Sequence, residues 1–405
     1  MYAQLLGLKT PWSVEDVKLD MLGKRVEVVL VSDDGKLTCP ECGMECGRYD
    51  SRERRWRHLD TMQFQTVLVA GVPRIDCKKH GVKQVAVPWA EEGSRFTAMF
   101  EAVVIDWLKE AASLTAVSRV MGLTWDEADG VMQRAVKRGL ARRTETLPTE
   151  LGIDETSFQK RHEYVTVVSD RRGAVVRVLD GRKQEDLEAF FASFPEGDRG
   201  AVRTVAVDMW PAFINAVQRM IPGAWKKLCF DKFHVAKHLG DAVDEVRREE
   251  NKRLLALGDG RLKKTKYLWL TRAAQLKQEL RPRLEALRES RLKTARAWAL
   301  KELAMDVWRY RSRDWGMRAW SAWLGWAMRS QLEPMKQVAR MVRGHLNGIL
   351  NAMQHGVTNA RAEGINSVIQ WLKYSARGFR NRERFRNAIY FHLGALDLYP
   401  TGLAR

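Results

Sequence analysis

Long apolar runs are missing from this chain. No stretch reaches the ~18 residues that a membrane-crossing helix requires, and no signal-peptide pattern is present, so a soluble cytoplasmic protein is expected. Cysteine is scarce: five residues in 405, an odd number, at 39, 42, 46, 77 and 229. In a cytoplasmic chain an odd set clustered toward the N-terminus argues for metal rather than disulfides. A P-loop, a dinucleotide fingerprint and a nucleophile elbow are all absent, which removes the motif basis for several common enzyme classes. No repeat of solenoid length occurs. Acidic residues fall short of basic ones, 50 Asp and Glu against 69 Lys and Arg, leaving a formal net charge of +19. An excess that large favours a polyanionic partner, nucleic acid above all, although an anionic membrane surface stays open.

What is present falls into four segments. Residues 1–93 are β-rich, with strands predicted at 14–19 and 24–31. Residues 94–147 read as helices broken at Gly122, followed by a linker at Leu147-Pro-Thr. From 148 to 234 strands and helices alternate. A hairpin turns at Asp170-Arg-Arg-Gly, a helix spans 185–194, and two strands end at Asp208 and Phe230. Residues 235–355 carry no strand signal and read as a charged, Trp-rich helical insertion. A last helical block then rejoins the α/β segment, which is taken as 148–234 with 356–405.

Within the first segment, Cys39-Pro-Glu-Cys42-Gly and Cys77-Lys-Lys-His80-Gly are two half-sites with the same spacing. Paired thiolate and imidazole donors flanking a β-rich stretch make a zinc ribbon, with Cys46 as an alternative ligand. Four protein ligands leave no open position, so that zinc is structural. Arg48, Arg52, Arg54, Arg55 and Arg57 lie between the half-sites and suit either phosphate contact or a solvated loop.

In the second segment, Ser113 to Thr124 fits a short helix, a Gly turn and a new start, with Thr124 and Glu127 as a capping box. The unit resembles a helix-turn-helix, against the alternative of a plain helical connector. Its second helix opens on Asp126, Glu127 and Asp129, which phosphates repel. Gln133, Arg134, Lys137 and Arg138 are therefore the expected DNA contacts.

Three acids define the candidate chemistry. Asp154 closes a short strand from Leu151, Asp208 closes a strand from Thr204, and Glu363 lies on a helix beginning near Asn359. Carboxylates at the ends of adjacent strands point into the crevice where open α/β sheets bind ligands. With a third from a helix they suit two magnesium or manganese ions about 3.5–4 Å apart. First strand, fourth strand and late helix are the positions such acids take in an RNase-H-like core, here interrupted by the all-α insertion. Asp231 and His234 follow the fifth strand directly; they read equally well as auxiliary site groups or as a buried hydrogen-bonding pair. The six tryptophans from Trp298 to Trp326 fit a core better than a base-stacking platform. The Arg-rich run from Arg377 favours DNA backbone contact, with Lys373, Arg377 and Arg380 as candidates.

Taken in order, several of these motifs also resemble one family. They include Cys39-Pro-Glu-Cys-Gly, Trp56-Arg-His-Leu-Asp, Gly152-Ile-Asp-Glu, Val207-Asp-Met-Trp, Phe230-Asp-Lys-Phe-His, Ala362-Glu-Gly-Ile-Asn-Ser and Arg377-Gly-Phe-Arg-Asn. The chain is similar over nearly its whole length to the bacterial insertion-sequence transposases of the DDE type, the ISL-three family. That resemblance implies a zinc-binding domain, a helix-turn-helix and a catalytic domain whose acidic triad matches Asp154, Asp208 and Glu363. It implies binding to the terminal inverted repeats of an element, cleavage and strand transfer on double-stranded DNA, a nucleoid-associated location, and a dimer or larger assembly. One departure is Gln370, where related proteins often carry a lysine; Lys373 or Arg377 is expected to take its place.

Overall fold

A computed structural model describes residues 2–33, 37–111, 113–159, 163–357 and 360–402, and for 360–363 it describes the helix without the side chains. The chain divides into two compact units, residues 1–144 with 383–405, and residues 145–382.

The first unit begins with a short helix α1 (Tyr2–Leu5) and strands β1 (Trp12–Asp20) and β2 (Arg25–Ser32), close to the positions predicted. A small pair, β3 (Leu37–Thr38) and β4 (Glu45–Cys46), precedes the long strands β5 (Arg48–Thr61) and β6 (Phe64–Cys77) and the short β7 (Gly81–Gln84). The sheet runs β1-β2-β6-β5, with β7 beside β6. Alternation along β2 drives Val26, Val28 and Leu30 inward, where they pack with Leu68, Ala70 and Val72 around Trp12, Trp56 and Trp89. Helices α2 (Ala98–Glu110), α3 (Leu114–Met121) and α4 (Trp125–Arg142) follow. Gly122 ends α3 in the left-handed region at φ 61°, a conformation in which glycine carries no Cβ penalty. Thr124 and Glu127 then cap α4 reciprocally, as their spacing predicts.

The second unit is built on strands β8 (Glu150–Gln159), β9 (Glu163–Asp170) and β10 (Val175–Asp180). After helices α5 (Gln184–Ala192) and α6 (Glu196–Ala201) come β11 (Thr204–Val207), α7 (Pro211–Met220), α8 (Ala224–Lys227) and β12 (Leu228–Phe230). The strand order is β10-β9-β8-β11-β12. Strands β8, β11 and β12 are mutually parallel, while β9 runs antiparallel to both β8 and β10. Asp154 does not close its strand as expected. Strand β8 continues five residues further to Gln159, because Glu155, Thr156 and Ser157 keep pairing with β9 despite their polarity.

Helices α9 (Lys232–Ala256), α10 (Lys266–Leu270), α11 (Arg281–Glu289), α12 (Lys293–Val307), α13 (Arg313–Arg329) and α14 (Glu333–His355) form the insertion. Among the described residues it contains no strand. Its core is continuous with that of the sheet, and Trp298, Trp320 and Trp323 are buried in it, whereas Trp315 and Trp326 are exposed. Helix α14 covers the edge strand β12. Asn351 Nδ2 donates to the Leu228 carbonyl at 2.9 Å, and a Cβ on Gly348 would run into the Phe230 ring. That close approach fixes the strand end that carries Asp231.

Helix α15 (Ala360–Ser375) returns the chain to the sheet, and α16 (Arg382–Leu393) ends it. The tail from 383 falls in the first unit rather than with the α/β segment, to which the sequence reading joined all of 356–405. Polar contacts explain the difference: Arg384 Nε pairs with Asp129 at 2.9 Å and the Tyr399 hydroxyl donates to Asp106 at 2.7 Å.

Candidate functional site

The parallel register brings two of the three predicted acids side by side. Val207 pairs with Ile153 and with Phe230, so Asp208, Asp154 and Asp231 each follow a paired residue at one level of the sheet. Asp154 is half-buried. Desolvation pushes its carboxyl up to about 6; the Asp208 and Glu155 charges add to the rise, while the Glu155 backbone N–H and His234 oppose it. Asp208 accepts from the Met209 N–H at 2.6 Å and faces His234, whose Nδ1 lies 3.3 Å from Oδ1.

Helix α15 lies along β8 through three contacts on one helical face. Asn366 Nδ2 donates to Asp154 Oδ2 at 2.8 Å, Gln370 Nε2 to Thr156 Oγ1 at 3.2 Å, and Lys373 Nζ to the Ser157 carbonyl at 2.8 Å. Glu363 is three residues before Asn366 on this helix; its side chain lies outside the described residues. Lys373, expected to reach DNA, instead donates to Ser157 twice, at the carbonyl and at Oγ, and burial lowers its pKa. Asp231 is nearly fully buried and caps α9 by accepting from the Phe233 N–H at 3.0 Å, which leaves His234 on the first turn facing Asp208.

In the first unit, Cys39, Cys42, Cys77 and His80 bring four donor atoms within 4.8 Å of one another. The set suits one tetrahedral zinc ion. Cys46 is not part of it; its thiol donates to the Met44 carbonyl at 3.4 Å. The Lys79 and His80 backbone N–H groups draw the Cys77 thiol down to about 6, so it is ready to bind metal as a thiolate. Glu41 stands 3.5 Å from His80 Nε2.

Three of the four expected contacts on α4 bond within the unit. Arg134 Nε donates to Glu101 at 2.9 Å, and Arg138 bonds Glu91 and Glu101 with its side chain only 8% exposed. Gln133 donates to Asp129 at 2.6 Å. The buried Glu101 carboxylate requires those cations. Lys137 remains exposed, as do Arg377 and Arg380 beyond α15. Between the zinc half-sites, Arg54 and Arg55 are bonded to Gln84 and Glu27, whereas Arg52 is exposed.

Residues to which the sequence assigns no role complete the setting. Asn366, a helical amide, binds Asp154. Arg182 meets Glu155, Tyr164 and Trp210; Asn366, Glu155 and Trp210 each lie within a motif of the acids, whereas Tyr164 and Arg182 carry no such signal.

Three family models match the chain in sequence. The zinc-finger of transposase IS204/IS1001/IS1096/IS1165 matches residues 36–80, and the helix-turn-helix domain of transposase family ISL3 matches residues 85–136. A transposase model, the DDE domain of that family, matches residues 151–389, more than half of the chain. The transposase for insertion sequence element IS1001 of Bordetella parapertussis is 28% identical, with 90% of each chain covered. The transposase for insertion sequence element IS1557 of Mycobacterium tuberculosis is 28% identical over 94% of this chain and 92% of its own. The protein belongs to the ISL3 family of insertion-sequence transposases.

Proposed function

We propose that this transposase binds the terminal inverted repeats of its own element and cuts and rejoins double-stranded DNA at an RNase-H-like centre made of Asp154, Asp208 and Glu363. One observation carries the reading. The parallel β8-β11 register sets Asp154 and Asp208 at the same level, and α15, which bears position 363, is bonded to Asp154 through Asn366. The strand order β10-β9-β8-β11-β12, with the second strand reversed, supports the RNase-H-like assignment.

The donor set fits hard divalent cations. Desolvation, with the Asp208 charge adding to it, pushes the half-buried Asp154 carboxyl up to about 6, so a shared cation would favour the charged pair. Asp154, Asp208 and Glu363 would hold two such ions, magnesium or manganese. When bound, these ions stabilise the charge on the attacking and leaving oxygens of an in-line displacement. The protein's own groups do the positioning: Asn366 orients Asp154, His234 faces Asp208, and the Asp231 cap fixes the turn that carries His234. Zinc at Cys39, Cys42, Cys77 and His80 ties down the β3-β4 end of the first unit. The exposed cations Lys137, Arg377 and Arg380 remain the candidate phosphate contacts. Two ends must be joined in concert, so the working form is a homodimer or larger assembly.

The test is purified protein with magnesium and a labelled duplex bearing the element's ends. Wild type nicks the end and joins it to target DNA, whereas Asp154→Asn, Asp208→Asn and Glu363→Gln bind it without cutting. Strand transfer retained by any of the three variants overturns the assignment. Cleavage without joining makes the protein a nuclease instead.

A further inference from the structure

Arg182 is held in an unusual way. Its Cζ lies 4.7 Å from the ring centroid of Tyr164 and 4.7 Å from that of Trp210, so the guanidinium is stacked against two rings. The nearest acid is Glu155, with Nη1 and Oε1 3.6 Å apart, an ion pair too long for a hydrogen bond. Among the described residues the Arg182 guanidinium donates no hydrogen bond. Glu155 Oε2 is buried and also lacks a hydrogen-bond partner. Both rings sit on segments that carry the acid pair: Tyr164 pairs with Ser157, three residues beyond Asp154 on β8, and Trp210 stands two residues after Asp208. The Glu155 charge reaches Asp154 as well, adding to the rise of its pKa.

An arginine with a purely structural role spends its donors. Arg134 and Arg138 do so on Glu101 and Glu91, and Arg313 donates to Asn351 at 2.8 Å. Arg182 keeps its donors while its conformational freedom is already reduced by aromatic contact. A planar guanidinium fixed by its faces still offers N–H groups in its own plane, where they match two oxygens of one phosphate. Its side chain is 37% exposed, which leaves room for such a ligand. The need is clear, because Asp154, Asp208 and Glu155 together repel a DNA backbone.

We infer that Arg182, held by Tyr164 and Trp210, binds a phosphodiester of the DNA strand lying across the acid pair, close to the linkage that reacts; this rests on the acid-pair reading above. The contact is to the backbone, so it positions the strand without reading its sequence.

The experiment uses full-length protein in the Asp154→Asn background, which keeps the DNA intact, and a fluorescent duplex carrying the element end. Binding is measured across a salt series. Arg182→Gln is expected to weaken binding about tenfold or more and to lower the log–log salt slope by about 0.9, the value for one phosphate on duplex DNA. Arg182→Lys keeps the slope. A scan with single neutral methylphosphonate linkages near the cleavage position then locates the partner: one linkage weakens binding by Arg182 protein and has no further effect on Arg182→Gln. Should Arg182→Gln unfold, Trp210→Leu keeps the charge and is expected to abolish the same linkage preference. An unchanged slope together with an unchanged scan overturns the inference. Cleavage that persists in Asp154→Asn would instead remove the acid assignment, and the binding scan would still report on Arg182.

Discussion

Asn366 ties α15 to the strand that carries the first acid, its Nδ2 donating to Asp154 Oδ2 at 2.8 Å. The bond fixes the rotation of a half-buried carboxylate and the seating of the helix that bears Glu363. A hydrogen bond to a charged group is worth roughly 1.5–3 kcal/mol. Asn366→Ala is therefore expected to slow strand cleavage by about ten- to a hundredfold. Duplex affinity and zinc content should stay at wild-type levels. Single-turnover cleavage at saturating DNA checks this, and a rate equal to wild type would remove Asn366 from the site.

Much of this centre is legible before any coordinates, and the reason is local. Asp208 follows a run of apolar residues that pair on both sides, so its place at a strand end is readable from composition alone. The zinc set and the Thr124–Glu127 box depend on spacings of a few residues, and the structure closes both. What escaped depends on distant partners. Arg134 and Arg138 look like ordinary basic contacts on a helix until Glu101, more than thirty positions earlier, is buried against them. Lys373 likewise meets Ser157 only because α15 returns to β8. Arg182 carries no motif; its clamp exists because the turn after β10 and the residues after β11 meet Tyr164 in space.

Zinc removal separates the four donors from the fifth cysteine of the region. Cys39→Ser with Cys42→Ser should lose the metal, because two of four ligands go at once. Cys46→Ser should retain one zinc per chain, since that thiol is bonded to the Met44 carbonyl and lies outside the cluster. Metal content by elemental analysis decides between the two outcomes. Zinc loss in the Cys46 variant would restore Cys46 as a ligand.

Glu101 is a second stability test, in the helix-turn-helix region. It is 1% exposed and accepts from Ser94, Arg134 and Arg138. Removing one partner of a buried charge group typically costs about 3–5 kcal/mol. Glu101→Ala is expected to lower the denaturation midpoint of the first unit accordingly. Arg134→Ala should also destabilise, while leaving the salt dependence of duplex binding unchanged. A reduced salt slope in Arg134→Ala would return that residue to the DNA surface.

Acid should loosen the same unit through two histidines, His58 buried and His392 half-buried. His58 Nδ1 lies 2.9 Å from Thr97 Oγ1, and burial, with the Arg57 charge adding to it, pushes its pKa down to about 4; burial takes His392 down to about 4 as well. A folded pKa below the unfolded value of ~6.5 means that the neutral ring is favoured in the fold. Stability is then fully present above ~6.5 and is lost as pH falls toward 4, by up to roughly 3 kcal/mol for each histidine. Urea midpoints of the unit should therefore be flat above neutrality and decline steeply between these two values. His58→Gln should remove about half of that decline, whatever it does to stability at neutral pH, because its effect is read from the slope. Should the double variant His58→Gln, His392→Gln keep the full acid dependence, the titrating groups lie elsewhere.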